Sequence, residues 1–192
     1  MRCCLLLAGI CVLAGTAFGE APPPPVKLAM LDQFDQKHDL RDFRGDVVIL
    51  LYGDRKATDA NKELGEKLHI HYHPTAKTMK PADAHKAPVL PLEGSAKSPN
   101  VHVIPVACTG PVPELVMSFV KREVKKASPD MPLWFDTANT MKDVYGLREG
   151  EPNLIVVDAE GRMRFRVLGE ADAKTKARLI EVVDYLRTEA AR

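Results

Sequence analysis

The sequence predicts an α/β domain: a central mixed sheet with a parallel core and a C-terminal antiparallel hairpin, flanked by helices. Three observations carry this. Residues 46–52 and 101–107 are continuous apolar, β-branched runs, the pattern of strands buried on both faces of a parallel sheet. Each is followed by apolar residues at helical spacing, so strand and helix alternate as in a right-handed crossover. Residues 153–157 and 162–168 then flank Asp158-Ala159-Glu160-Gly161, and the second run alternates polar with apolar, as a half-solvated antiparallel edge should.

In chain order, residues 1–19 read as a secretory leader. Arg2 gives a positive start, residues 3–14 an apolar run and Ala17-Phe18-Gly19 a small-x-small cleavage site, which puts the mature N-terminus at Glu20. A retained anchor is the alternative, but it needs about 20 apolar residues and the run is shorter. Residues 20–25 include four consecutive prolines, Pro22 to Pro25, a stiff polyproline spacer. The folded domain is expected over 26–192.

The first helix carries Ala57, Ala60, Leu64 and Leu68 inward, with Thr58 or Asp59 as its cap. Residues 69–100 lose periodicity, are broken by Pro74, Pro81, Pro88, Pro91 and Pro99, and read as an irregular His/Pro-rich insertion. The second helix follows Pro113, expected at its first position, with Leu115, Val116, Phe119, Val120 and Val124 as its stripe. Leu133-Trp134-Phe135 precedes a helical turn ended by Gly146, and a closing helix presents Ala177, Ile180, Val183 and Leu186 or Tyr185.

Composition narrows the function classes. Leader cleavage removes only Arg2 from 27 basic residues and leaves all 26 acidic ones, so the mature chain is electroneutral, without the basic excess of a nucleic-acid or anionic-membrane binder. Cys3, Cys4 and Cys11 leave with the leader. Cys108 is then the single thiol of the exported chain, either a buried small hydrophobe or a reactive group, and no internal disulfide can form. No glycine-rich phosphate loop or Ser-His-Asp arrangement occurs, and no cofactor is expected.

The order β-α-β-α-β-β-α resembles the thioredoxin superfamily, especially its redoxin and alkyl-hydroperoxide-reductase-like branch. The stretch from Glu151-Pro152-Asn153 to Gly161-Arg162 resembles the family segment in which a cis-proline precedes a strand, an Asp-x-x-Gly turn and the edge strand. Residues 131–146 resemble the preceding run with its aspartate and Tyr-Gly. The resemblance implies a dithiol site after the first core strand. There Leu51-Tyr52-Gly53-Asp54-Arg55 leads into Lys56-Ala57-Thr58-Asp59, so the two cysteine positions hold Lys56 and Asp59. In the peroxiredoxin register, Thr58 matches a threonine but Asn61 takes the cysteine slot. Dithiol exchange needs a thiolate of depressed pKa and a resolving sulfur, and neither is supplied.

The expected reading is an exported thioredoxin-like binding or accessory module without dithiol activity. Its cleft is assigned to Lys56, Thr58, Asp59, Glu151 and Pro152, and its partner to an unidentified protein or peptide that pairs with the backbone beside Pro152. Two alternatives stay open. Cys108, placed after a core strand where ligands of open α/β sheets bind, could act as a one-cysteine peroxidase. His69, His71 and His73 would share one face if extended and could bind zinc or copper.

Overall fold

The computed structural model describes residues 24–192, so the leader and most of the proline spacer lie outside the described residues. A seven-stranded sheet runs in the order β2-β1-β5-β4-β3-β6-β7. Its core is parallel: β3 (Val47–Gly53) pairs with β4 (Val101–Cys108), and β4 with β5 (Trp134–Asp136). On the far side of β3 the chain runs antiparallel through β6 (Asn153–Val157) and β7 (Met163–Leu168). The α/β architecture read from the sequence is therefore the observed one. Every residue of β3 is buried, which explains why that run is apolar throughout.

Side chains alternate along β3 into two cores. Val48, Leu50 and Tyr52 join Val106, Trp134, Met141, Tyr145 and Ile155 on one face, where α4 (Thr140–Tyr145) packs. Val47, Ile49 and Leu51 meet Leu68, Tyr72, Leu179, Val183 and Leu186 on the other, beneath α1 (Thr58–Tyr72) and α5 (Ala173–Ala190). Residues of opposite parity thus serve different helices. The buried stripe of α5 is Leu179, Val183, Leu186 and Arg187: Val183 and Leu186 are buried as expected, Ile180 is half-buried, and Ala177 and Tyr185 are exposed.

Two further pieces were not expected. An N-terminal hairpin, β1 (Ala29–Asp32) and β2 (Lys37–Asp39), extends the sheet antiparallel to β5. Its turn is held by the buried Asp32 carboxylate, which accepts from the Phe34 and Gln36 amides at 2.7 and 3.0 Å and bonds His38 Nε2 at 2.8 Å. The 69–100 stretch is also more ordered than its prolines suggest. Helix α1 continues to Tyr72, a 3-10 turn spans Pro74–Thr78 and a single helical turn, α2, spans Pro81–Ala84.

This insertion packs at the end of the sheet where β3 and β4 begin. His73 is buried and bonds Asn100 Oδ1 at 2.8 Å, and Asn100 O accepts from the Val47 amide at 2.9 Å. Arg187, also buried, donates from Nε to Pro99 O at 3.1 Å and from Nη2 to Leu90 O at 2.5 Å, with its guanidinium 5.7 Å from the Tyr72 ring centre. The insertion is thereby fastened at the end of the strands opposite Gly53 and Cys108.

Helix α3 (Glu114–Ala127) departs most from its sequence pattern. Pro113 is its N-cap, one position before the helix, and none of its residues is fully buried. Leu115, Val116 and Phe119 face outward, Leu115 at 83% exposure, while Met117, Val120, Lys121 and Val124 make the half-buried side. The helix is held by polar ties. The buried Gln33 side chain donates to Ser128 O and Met131 O at 3.1 and 2.8 Å and accepts from the Leu133 amide, and Lys121 pairs with Asp35.

Candidate functional site

The parallel register sets Gly53 opposite Ala107, so the loop after β3 and the end of β4 share one edge of the sheet. After Gly53 the chain turns sharply into a 3-10 turn over Arg55–Ala57 and then into α1. Asp54 caps that turn, its carboxylate accepting from the Lys56 amide at 2.8 Å, while Thr58 Oγ1 donates to Asp54 O at 3.2 Å. The expected cap by Thr58 or Asp59 is not formed: the N-cap of α1 is Ala57, whose position lacks a side-chain hydrogen bond. Asp54 takes the role because the helix is entered through the tighter turn. Gly53 is required for the entry, since a Cβ there would lie 2.5 Å from Ala57 Cβ and 2.8 Å from Asn61 Nδ2.

Lys56, Thr58 and Asp59 are exposed and Ala57 is buried. The Lys56 stem runs toward the 148–152 loop, its Cδ 4.0 Å from where a Cβ on Gly150 would stand. Glu151 and Pro152 are half-buried beside it, with Glu151 bridged to Arg148 at 3.3 Å and its carboxylate over Gly169. Asn153, fully buried, holds the loop by donating to Arg148 O and Glu151 O at 2.8 Å each and accepting from the Arg148 amide. No cis peptide bond occurs among the described residues, so Pro152 is trans, unlike the cis-proline of the resembled segment.

A groove of about 150 Å³ runs along the far side of Pro152, between α1 and the β6–β7 hairpin. Asn61, Leu64, Leu154, Val167 and Lys176 line it, whereas Lys56, Thr58 and Asp59 stand outside. Asn61 Oδ1 is buried without a hydrogen-bond partner. The groove is smaller than the ~300–1,000 Å³ clefts that enclose drug-sized ligands. The site is thus a ridge and a shallow groove.

Cys108 lies on this edge but is half-buried on the α4 side, packed against the core that contains Tyr52, whereas α1 covers the opposite face. Its thiol points at Asn139 Oδ1, 3.7 Å away. Tyr52, 1% exposed, belongs to that same core, and its buried hydroxyl has no hydrogen-bond partner. Burial, reinforced by Cys108 and Asp136, pushes the Tyr52 phenol far above its ordinary pKa, so it remains a protonated donor. The Asp136 oxygens are already engaged, accepting from the Thr140 and Met141 amides at 2.8 and 2.9 Å. Lys142, bridged to Glu149 at 2.8 Å, stands within electrostatic reach of the thiol.

Sequence reasoning singled out Cys108 but not these neighbours. Strand parity carried the signal for Tyr52, which shares a face with Val48 and Leu50, and the Phe135-Asp136 step marked the adjoining strand end. The histidines are not gathered as an extended segment would gather them. His69 and His71 lie in the last turn of α1 and His73 is its C-cap; His69 and His73 stack at 4.6 Å, and His71 turns away onto Tyr72. His69 Nε2 bonds Ala84 O and His73 Nε2 bonds Asn100, and no group of three potential metal ligands occurs among the described residues.

The fold is thioredoxin-like α/β. Solved structures share its architecture at low identity. A thioredoxin-family thiol:disulfide interchange protein from Chlorobium tepidum matches with a TM-score of 0.52 and 12% identity over 86% of this chain and 98% of its own. The exposed lipoprotein thioredoxin of Streptococcus pneumoniae gives 0.51 and 14% over 82% and 99%. A secreted thiol-disulfide isomerase from Corynebacterium glutamicum gives 0.53 and 14% over 88% and 86%. No family model and no curated protein matches the sequence. Among the described residues no helix is long and apolar enough to cross a membrane.

Proposed function

We propose that this chain is an exported, thioredoxin-like binding or accessory module that does not perform dithiol exchange. One observation carries the reading. The loop that leads from β3 into α1 bears Lys56-Ala57-Thr58-Asp59, and the single cysteine of the described residues sits on the other face of the sheet. A lysine and an aspartate can neither attack a disulfide nor resolve a mixed one. Export rests on the leader read over residues 1–19, with one domain from Val26, and is supported by neighbours whose names describe an exposed lipoprotein and a secreted isomerase. The docking edge is assigned to Lys56, Thr58, Asp59 and the Glu151-Pro152 loop, with a protein or peptide as the partner.

The test is insulin reduction by the mature protein with dithiothreitol as the electron source. Precipitation at the rate of the protein-free control is expected. Acceleration that disappears in Cys108→Ser would overturn the reading.

A further inference from the structure

We propose that the outward side of α3 seats on an anionic lipid bilayer, with Leu115, Val116 and Phe119 entering the boundary between headgroups and acyl chains and Arg122 and Lys126 meeting lipid phosphates. The helix carries more apolar surface than the domain covers. Met117, Val120 and Val124 are half-buried against the protein, whereas Leu115, Val116 and Phe119 are 83%, 46% and 55% exposed. Val112, just before the helix, is a fourth exposed apolar side chain at the same end. An exposed leucine by itself is ordinary, but apolar side chains gathered at one end of a helix mark a surface that meets something else.

The order of residues along this side defines the chemistry of the partner. At about 3.6 residues per turn, Leu115, Phe119, Arg122 and Lys126 fall in one stripe, opposite the half-buried side. The first half of the stripe is apolar and the second half cationic. Lys125 beside it is also exposed, its ammonium 5.7 Å from the Phe34 ring centre, and the Arg122 guanidinium stands 5.1 Å from the Phe119 ring centre. Lys121 is taken up by Asp35. Glu123 bonds Lys126 at 3.0 Å and lies 3.5 Å from Arg122, so in this half of the helix three exposed cations face one carboxylate. The electroneutral total of the mature chain conceals that local excess. Leucine and phenylalanine beside lysine and arginine on a surface helix suit an anionic interface: the apolar groups enter the bilayer boundary while the long cationic ones reach the phosphates. A second copy fits the stripe less well. Antiparallel pairing of two full stripes sets the cations of one copy over Leu115 and Phe119 of the other, and parallel pairing sets cation against cation.

None of Lys56, Thr58, Asp59, Glu151 and Pro152 belongs to this face, so the outcome is separate from that of the proposed docking edge. The experiment floats the mature protein with vesicles of phosphatidylglycerol and phosphatidylcholine in equal parts, and with vesicles of phosphatidylcholine alone, at low and high salt. Leu115→Ser/Phe119→Ser and Arg122→Glu/Lys126→Glu are run alongside, with near-ultraviolet circular dichroism as the check on folding. All four side chains are exposed, so both variants should fold. The wild type is expected to float with the anionic vesicles at low salt. High salt, phosphatidylcholine alone, or either double variant should weaken partitioning about tenfold. Sedimentation velocity without lipid checks for a second copy on the same face. Wild-type protein that ignores the anionic vesicles would overturn the proposal, as would flotation that either folded variant leaves unchanged, or a dimer that Leu115→Ser/Phe119→Ser dissociates.

Discussion

Replacing Arg187 by methionine tests how the insertion is fastened. The methionine keeps most of the aliphatic bulk on α5 and deletes the donors to Pro99 O and Leu90 O. Hydrogen bonds from a charged group contribute about 1.5–3 kcal/mol each, so two of them amount to roughly 3–6 kcal/mol. Part of that is recovered, because Arg187 is 2% exposed, has no carboxylate within salt-bridge distance among the described residues, and its cation no longer has to be desolvated. A net loss of about 3 kcal/mol follows, and with a urea m-value near ~2 kcal/mol/M the unfolding midpoint should fall by about 1.5 M. Urea titration by circular dichroism measures it. Hydrogen exchange should add that the Leu90 amide, which donates to Tyr72 O at 2.7 Å, loses protection before the amides of β3 do. A midpoint shift below about 0.3 M would refute the view that this cation clamps the segment.

Two further outcomes can be checked on the same protein. Burial holds the His73 imidazole below its ordinary pKa, so the unfolded chain takes up the proton first as pH falls through about 6.5, and stability should decline on acidification by at most about 1.4 kcal/mol per pH unit. Chemical denaturation at pH 7 and pH 5 reads this slope, which should flatten in His73→Gln. The window is separate from that of carboxylates such as Asp39, which Arg41 holds at about 2. Leu115→Ser and Phe119→Ser should change stability by no more than about 0.5 kcal/mol, because both side chains already face solvent. A loss of about 2 kcal/mol, the mark of a core residue, would show that α3 buries the stripe it here exposes.

The legible elements were those whose periodicity agrees with burial. Residues 47–53 and 101–108 are apolar because both faces are covered, and the 153–168 hairpin announces itself through an Asp-x-x-Gly turn and an alternating edge. The β1–β2 hairpin was missed because its strands are four and three residues long and its turn depends on the Asp32 carboxylate, not on glycine or proline. Helix α3 misled because it carries apolar residues on two sides, and spacing alone cannot say which side meets the sheet. At the candidate site, the expectation that Lys56 and Asp59 stand at the dithiol positions came from residue identities alone. The contact of Cys108 with Asn139 and its packing against the core of Tyr52 were not legible there, because they depend on the pairing of β4 with β5 across 25 residues of intervening chain.

The placement of the 73–100 segment divides the molecule into two independently editable ends. A loop that crowned the proposed docking edge would tie every change in its length to the shape of that edge. Fastened beneath the starts of β3 and β4, this one instead behaves as a buckle. The exposed tip at Gly94, with a φ of 73° and open space about it, offers a place to graft a tag or a fluorophore far from Lys56, Pro152 and Cys108.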